Sequence, residues 1–473
     1  MIRAQLSRLG AGWREVRAVV RLSLSGATQD YTQGSVRRAA ILLAIPMMLE
    51  MAMESLFTIV DIFFVAGLGA AAVAVVGLTE AVLTLVYALG LGLGMGATAL
   101  VARRIGEHDA AGARLVAVQA LWVGALVALA LGVSGALFAR DILEAMGAAP
   151  EVIAEGSSYT LVMLAGSGTI SSLFLINGVF RGAGDATIAM RSMWLANGIN
   201  IVLDPCLIFG WGPFPELGVT GAAVATTIGR GTGVLYQLAC LAGPRSRVPL
   251  ARQSLRPVPR IIGALLRVSL GGVAQFLVAT SSWVVLMRFM APYGSAAVAG
   301  YTIAIRILAF SLLPAWGLAN AAATLVGQNL GAKEPARAEH SVWEVAKFSA
   351  TVMAGVAVLS FVFAPAIIGV FTADAAVLAH GVACLRIVAC GYSFYAVGMI
   401  VSQAFNGAGD TTTPTLINLI GFWVLQIPLA WALTRHTALG PTGVYVAVLC
   451  AESFIACLSV VVFRRGRWKL QRL

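Results

Sequence analysis

Charge is what this chain has least of: Asp, Glu, Lys and Arg together make up 11% of its 473 residues, less than half the share of an ordinary soluble domain. So few charges cannot cover a water-facing surface, and with 59% hydrophobic residues and a mean hydropathy of +0.89 the chain needs lipid as its solvent. Histidine is scarce as well. The four that occur lie in loops or at the ends of apolar runs, and the six cysteines (Cys206, Cys240, Cys384, Cys390, Cys450, Cys457) show no metal-ligand spacing. A redox or metal centre is therefore not expected, and no cofactor is implied. No HExxH, nucleophile elbow or phosphate loop occurs, which argues against an enzyme. The glycines at Gly90, Gly92, Gly94 and Gly96 lie inside an apolar run and read as a small-residue face for close helix packing. The first 38 residues lack the short apolar core and cleavage site of a signal peptide.

What the chain does have is long apolar runs. A helix needs about 20 apolar residues to cross hydrocarbon roughly 30 Å thick, and runs of that length recur after Arg38. They are too long and too uniformly apolar for barrel strands. Breaks at charge, Pro and Gly place spans at 38–66, 71–102, 115–138, 158–180, 187–210 and 219–241. A second set falls at 261–290, 296–327, 342–364, 382–405, 413–433 and 442–463. The sequence thus predicts an all-α polytopic membrane protein of 12 transmembrane helices. Its segments are a basic tail (1–37), an N lobe (38–242), a linker (243–260), a C lobe (261–463) and a second tail (464–473).

Cations give the orientation, because Lys and Arg are retained on the cytoplasmic side. The two tails, the connection after the sixth span and the loops on the same side hold 26 of the 32 cations, against Arg140, Arg288 and Arg435 opposite. Both termini are expected in the cytoplasm and the protein in the cell inner (plasma) membrane. Arg230, Arg306 and Arg386 fall inside spans. The basic pI of 9.8 follows from this topology, so no nucleic-acid partner is implied. In the tail, Leu6, Leu9, Trp13, Val16 and Val20 recur at helical spacing among arginines, as in an interfacial helix; a plain basic tail is the alternative.

The chain repeats itself at an offset of 225 residues. Gly69 with Ala71 to Ala74 recurs as Gly294 with Ala296 to Ala299, and Leu100, Val101 and Gly106 recur as Leu325, Val326 and Gly331. Phe180 with the GAGD of Gly182 to Asp185 recurs as Phe405 with Gly407 to Asp410. Six spans per copy is an even number, so the copies are parallel repeats related by an axis along the membrane normal. Paired lobes of this kind suit alternating access to a site near the midplane, occupied by a small molecule.

Pro46 with Asp61 in the first span, the paired FRGAGD and FNGAGD, and the Asn200, Asp204, Pro205 cluster resemble the multidrug and toxic compound extrusion (MATE) family over nearly the whole chain. The resemblance implies a V-shaped pair of lobes acting as a monomer, with efflux of amphipathic, often cationic compounds against inward flow of Na⁺ or H⁺. A flippase for lipid-linked precursors, from the same superfamily, is the alternative. It would want a cationic cavity, whereas acids outnumber bases within these spans.

Carboxylates in hydrocarbon are costly and usually face protein or water. Glu50, Glu54 and Asp61 lie within about 40° of one another around the first span. Asn197, Asn200 and Asp204 share a face of the fifth, with Pro205 freeing backbone oxygens nearby. We expect Asp61, Asn200, Asp204 and Thr226 to converge as the ion-coupling site. Such a carboxylate pair can share a proton, and the same oxygens can hold Na⁺. Asp204 serving only as a local hydrogen-bond acceptor is the plainer reading. One branch of the resembling family carries acids in spans seven and ten; here neither span has one, which favours the N lobe. Glu50 and Glu54 either line the substrate cleft or make structural hydrogen bonds, and their counterparts in the second copy are Gln275 and Ala279. Glu80 and Arg306 are candidates for a gating pair across the lobes, each pairing locally being the alternative. Pro46 is the expected hinge. The two GAGD turns are expected to be structural, each acid capping the next helix.

Overall fold

The computed structural model describes residues 19–26, 29–244, 246–249 and 256–471. The expected interfacial helix from Leu6 to Val16, and Arg245, Arg252 and Arg472, lie outside the described residues. Among those described there is no strand. The first half runs α1 (Val36–Ala66), α2 (Ala70–Gly106), α3 (Ala110–Ala145), α4 (Pro150–Ala165), α5 (Ser167–Ala183), α6 (Ala186–Phe209) and α7 (Val219–Ala242). The second runs α8 (Pro259–Met290), α9 (Ser295–Ser311), α10 (Leu313–Gly331), α11 (Pro335–Val362), α12 (Ala364–Gly369), α13 (Ala375–Ala389), α14 (Tyr392–Ala408), α15 (Thr412–Asn418), α16 (Ile427–His436) and α17 (Thr442–Arg464).

Nine spans among the described residues are long and apolar enough to cross a bilayer, and two bent pairs bring the number to eleven. The twelfth is α7, 24 residues long, whose Arg230 and threonines make it less apolar than its neighbours. Helices outrun the apolar stretches read from sequence because their caps lie in the polar flanks; α3 begins at Ala110, where Asp109 accepts from the Gly112 N–H. Breaks inside spans have local causes. α9 and α10 meet at 41°, where Pro314 lacks an N–H and its ring crowds the carbonyl of Phe310. α13 and α14 meet at 55° across Cys390 and Gly391. A π-helical turn over Leu419–Gln426 joins α15 to α16 just before Pro428.

The internal repeat is visible in the backbone. Gly69 and Gly294 have φ of 102° and 90°, Gly184 and Gly409 have 84° and 86°, and the non-glycines His108 and Lys333 share the left-handed region at 55° and 61°. Each pair is 225 residues apart, so the two copies keep the same turns even where the residue type has changed.

Contacts between the lobes obey the same symmetry. A Cβ on Gly106 would lie 1.9 Å from the Gln328 carbonyl oxygen, and one on Gly331 would lie 2.2 Å from that of Arg103. Gln328 is the repeat counterpart of Arg103, so α2 and α10 cross with each contact mirrored. Gly92 packs on Val273 of α8, and its counterpart Gly317 packs on Met48 of α1, which is the counterpart of Val273. The glycine run in α2 supplies both of its faces: Gly90 and Gly94 abut Ser171 and Phe174 of α5, while Gly92 and Gly96 abut α8.

An even number of spans puts both tails at one end of the bundle, here the tail end. Two apolar clusters near that end include residues of both lobes: α1 with α10, α11 and α14, and α2, α3 and α5 with α8. Towards the far end the two clusters each stay within one lobe. The lobes are therefore packed together at the tail end and separate beyond it, leaving a cleft that opens at the far end. Leu126, Leu129, Val133 and Leu137 of α3, and Val358, Leu359 and Val362 of α11, form exposed apolar bands facing lipid.

Residues 19–25 form a short helix, and residues 19–26 and 29–34 act as a strap across the tail end. Pro46 lies within α1 without interrupting it and leaves the Leu42 carbonyl without its intrahelical donor; the Ser23 hydroxyl donates to it at 2.8 Å. The strap's own carbonyls accept from Thr187 (to Ser23), Arg191 (to Leu24) and Arg247 (to Gln29) in the first half, and from Arg337 (to Tyr31, Gln33 and Gly34) in the second.

Candidate functional site: an N-lobe charge ladder and a C-lobe cavity

The acidic stripe of α1 meets partners that thin out towards the far end. Nearest the tail end, Glu50 is fully buried. It forms an ion pair with Arg181 of α5 and accepts from Asn177 Nδ2 at 2.9 Å. Asn177 Oδ1 in turn accepts from Ser192 of α6 (3.2 Å) and Gln237 of α7 (2.5 Å), so four helices are tied into one polar network.

One turn further, Glu54 accepts from Arg230 of α7 at 3.1 Å and from Asn197 of α6 at 2.9 Å. The buried Arg230 guanidinium also reaches the Tyr87 hydroxyl at 3.2 Å and lies 5.3 Å and 5.6 Å from the ring centres of Phe57 and Tyr87.

Beyond that the cations run out. Asp204 is fully buried with the Asn200 side chain, one turn before it on α6, as its hydrogen-bonding neighbour; Asn200 also donates to Thr226 of α7 at 3.0 Å and leaves its own Oδ1 unpaired. Asp61 interacts electrostatically with Asp204, with Glu80 of α2 and with Arg230, and the phenol of Tyr159 feels Asp61, Glu80 and Asp204 together. Asp61 and Glu80 thus share the guanidinium that Glu54 already engages, while Asp204 meets the charge of Asp61.

The C lobe repeats this frame without charge. Gln275 and Asn406, the counterparts of Glu50 and Arg181, are bonded to each other at 2.9 Å from Nε2 to Oδ1. An ion pair in one lobe is an amide pair in the other. Beside it lies a cavity of about 410 Å³ walled by aromatic and apolar side chains, with Glu452 of α17 on its wall. A smaller cavity lined by Arg181 and Thr98 shares Met95, Trp316, Gln403 and Asn406 with it, so the two adjoin across the lobes.

The structure places Asp61, Asn200, Asp204 and Thr226 in one region of the N lobe. It does not pair Glu80 with Arg306. Glu80 sits in the field of Arg230 and Glu54, Arg306 is exposed, and no ion pair joins them among the described residues, because the lobes are apart at this level. Glu50 does not line the cleft; it lies behind Arg181, which a sequence reading treats as a loop cation because it ends an apolar run. Arg230, which the sequence shows only as a cation inside a span, is the cation at the centre of the ladder. Asp410 caps its helix through the Thr413 N–H at 3.1 Å, whereas Asp185 makes no cap bond and faces Arg247. The six cysteines are free, and no cluster of three metal-binding side chains occurs among the described residues.

Two parallel six-span lobes around a cleft open at one end, with buried carboxylates in one lobe and a cavity in the other, define a membrane transporter. The family description MatE matches residues 46–206 and again 273–432, and the chain belongs to this family, the multidrug and toxic compound extrusion transporters; it is not an enzyme. The two matches fall on the two lobes. The chain is 28% identical over 441 residues to the probable multidrug resistance protein NorM of Thermotoga maritima, covering 92% of this chain and 93% of that one. It resembles a structure described as the outward-facing conformation of a multidrug resistance MATE family transporter (TM-score 0.87, 28% identity, 93% of this chain and 98% of that one). It is also similar to a Pyrococcus furiosus transporter of the MOP superfamily, described as having a binding pocket of reverse polarity that suggests a different function (TM-score 0.88, 28% identity, 94% and 100% covered).

Proposed function

We propose that this protein is a monomeric multidrug efflux antiporter of the cell inner membrane, exporting amphipathic cations in exchange for Na⁺ or H⁺. Both termini face the cytoplasm on this reading, which rests on the concentration of Lys and Arg at the tail end. The far-end cleft then opens outward. A relative with this fold is described as having reversed pocket polarity, so the sign of the substrate must come from this chain's own residues. Glu50 and Glu54 are matched by Arg181 and Arg230, while Asp61, Glu80 and Asp204 have no cation of their own and Glu452 has none within ion-pair reach among the described residues. The surplus is negative, which supports a cationic cargo over the anionic headgroup of a lipid-linked precursor.

The observation that carries the coupling site is the buried Asp204 carboxylate, in no ion pair among the described residues and neighboured by the Asn200 side chain, whose Oδ1 is unpaired, within the field of Asp61. A proton or Na⁺ is cargo that supplies what these oxygens lack. An ion drives the switch only by binding one conformer more tightly than the other. Entering from the open far end, it neutralises the top of the ladder and removes the charge that opposes drying and closing of the cleft. α1 carries both Asp61 and Pro46, so repacking about Pro46 transmits the change to the cargo site.

Purified protein in liposomes, assayed for ethidium movement under an imposed Na⁺ gradient and separately under a pH gradient, tests both parts. Wild type is expected to move ethidium under one of the two. Asp61→Asn and Asp204→Asn are expected to lose gradient-driven movement while inserting normally. Transport at the wild-type rate by either variant overturns the coupling site, and no movement under either gradient overturns antiport.

A further inference from the structure

The C-lobe cavity lies outside the ladder, with Met95 of α2 the N-lobe side chain on its wall. Its walls include Phe276 and Trp283 of α8, Trp316 of α10, Tyr395 of α14 and Phe422 in the π-helical turn. One ionisable carboxylate, Glu452, lines it. Glu452 forms no ion pair among the described residues: Arg306 is exposed, and Arg386 is turned to the Phe361 carbonyl at 3.2 Å and to the Phe361 ring at 5.5 Å. The nearby Gln275, Asn406 and Gln403 bond one another and leave Glu452 uncompensated. The Tyr395 hydroxyl, in the field of Glu452, is also buried without a partner.

A lone carboxylate on a wall of aromatic rings is costly in a folded membrane protein unless something else neutralises it. Two indoles and two phenyl rings offer flat, electron-rich faces, on which a delocalised cation stacks and gains a cation–π contribution. About 410 Å³ is in the range of small-molecule sites and admits a planar cation of a few fused rings.

We propose that this cavity is a binding site for monovalent, planar aromatic cations, with Glu452 as counter-ion and Trp316 and Phe276 as stacking faces. The inference names the cargo site and class for the efflux function and so rests on that reading. Its place in the C lobe separates it from the N-lobe ladder: cargo and coupling ion occupy different lobes, and their exchange is transmitted through the lobe contact and not by competition for one carboxylate.

The test measures equilibrium binding of ethidium to detergent-purified wild type, Glu452→Gln, Glu452→Asp and Ala279→Phe by fluorescence anisotropy, with uncharged phenanthridine as competitor. Ala279 also lines the cavity. Glu452→Gln is expected to weaken ethidium at least tenfold and phenanthridine less than twofold, Glu452→Asp to recover most of the loss, and Ala279→Phe to weaken both ligands. Wild-type ethidium affinity in Glu452→Gln overturns the proposal, as does unchanged binding of both ligands by Ala279→Phe. The second variant decides the matter should Glu452→Gln fail to fold. If wild type binds ethidium in a Glu452-dependent way but does not move it in liposomes, the efflux reading fails and the binding site stands. If wild type moves ethidium and Glu452→Gln binds it equally well, the site fails and efflux stands.

Discussion

Removing one side of the Glu54–Arg230 pair tests whether the ladder is held by paired charge. Arg230 is 2% exposed and Glu54 22%, so the pair is largely out of water. Taking away one partner of a buried pair costs about 3–5 kcal/mol, because the remaining ion keeps its desolvation penalty. In Glu54→Gln the guanidinium retains the Tyr87 hydroxyl and two rings, which return about 1–2 kcal/mol, so the low end, about 3 kcal/mol, is expected. In Arg230→Met the Glu54 carboxylate keeps only the Asn197 donor, and Asp61 and Glu80 lose the same cation, so the high end, about 5 kcal/mol, is expected. The double variant relieves Glu54 alone and is expected to lose no more than Arg230→Met, giving a coupling energy of at least about 2 kcal/mol. Unfolding by SDS titration in mixed micelles measures all four proteins. Single variants that each lose under about 1 kcal/mol, or losses that simply add in the double, would refute the reasoning.

Two further predictions follow from the tail end. Gly106→Ala puts a Cβ 1.9 Å from the Gln328 carbonyl oxygen, a contact no rotamer relieves, so α2 and α10 must separate; spin labels at the tail-end termini of these helices are expected to report a longer distance than in wild type, and an unchanged distance would count against the crossing. Asp185, in the turn before α6, is pushed up to about 6 by burial, with Arg247 opposing. The folded protein therefore holds this proton more tightly than the unfolded chain, so stability falls as pH rises from about 4 through 6, by on the order of 2 kcal/mol. Asp185→Asn is expected to be more stable than wild type at pH 7.5 and to match it at pH 4.5; equal stability at the higher pH would contradict the burial argument.

Much of the fold was legible because lipid imposes it: apolar run lengths set the spans, and the repeated GAGD turns fixed two parallel copies. Helix breaks were harder to read. Pro314 and Gly391 are local signals of a kind that also occur in straight helices, and only packing decides which of them bends a span. In the site, the acids could be found because a carboxylate in an apolar run stands out. Their cationic partners could not, since Arg181 sits at the end of its run and looks like an anchoring charge. A usable signal was nonetheless present in the repeat: Glu50 becomes Gln275 and Arg181 becomes Asn406, so both partners of the pair lose their charge together, as contacting residues do. Glu452 carried no such mark. Its setting is made by side chains from seven helices and the π-helical turn, and no spacing along the chain announces a cavity wall.

The strap has a consequence for how the tail end can part. It is gripped by its main-chain oxygens, with arginines from both halves as the grips. Substitutions along residues 29–34 that keep the backbone path leave that grip intact, whereas losing Arg337 removes the hydrogen bonds that the second half gives it. When the lobes swing apart at this end, the ribbon must let go of one of them. The energy of that release adds to the barrier for facing the side where the tails lie, so the N-terminal segment works as a latch that biases the resting protein towards its opposite face.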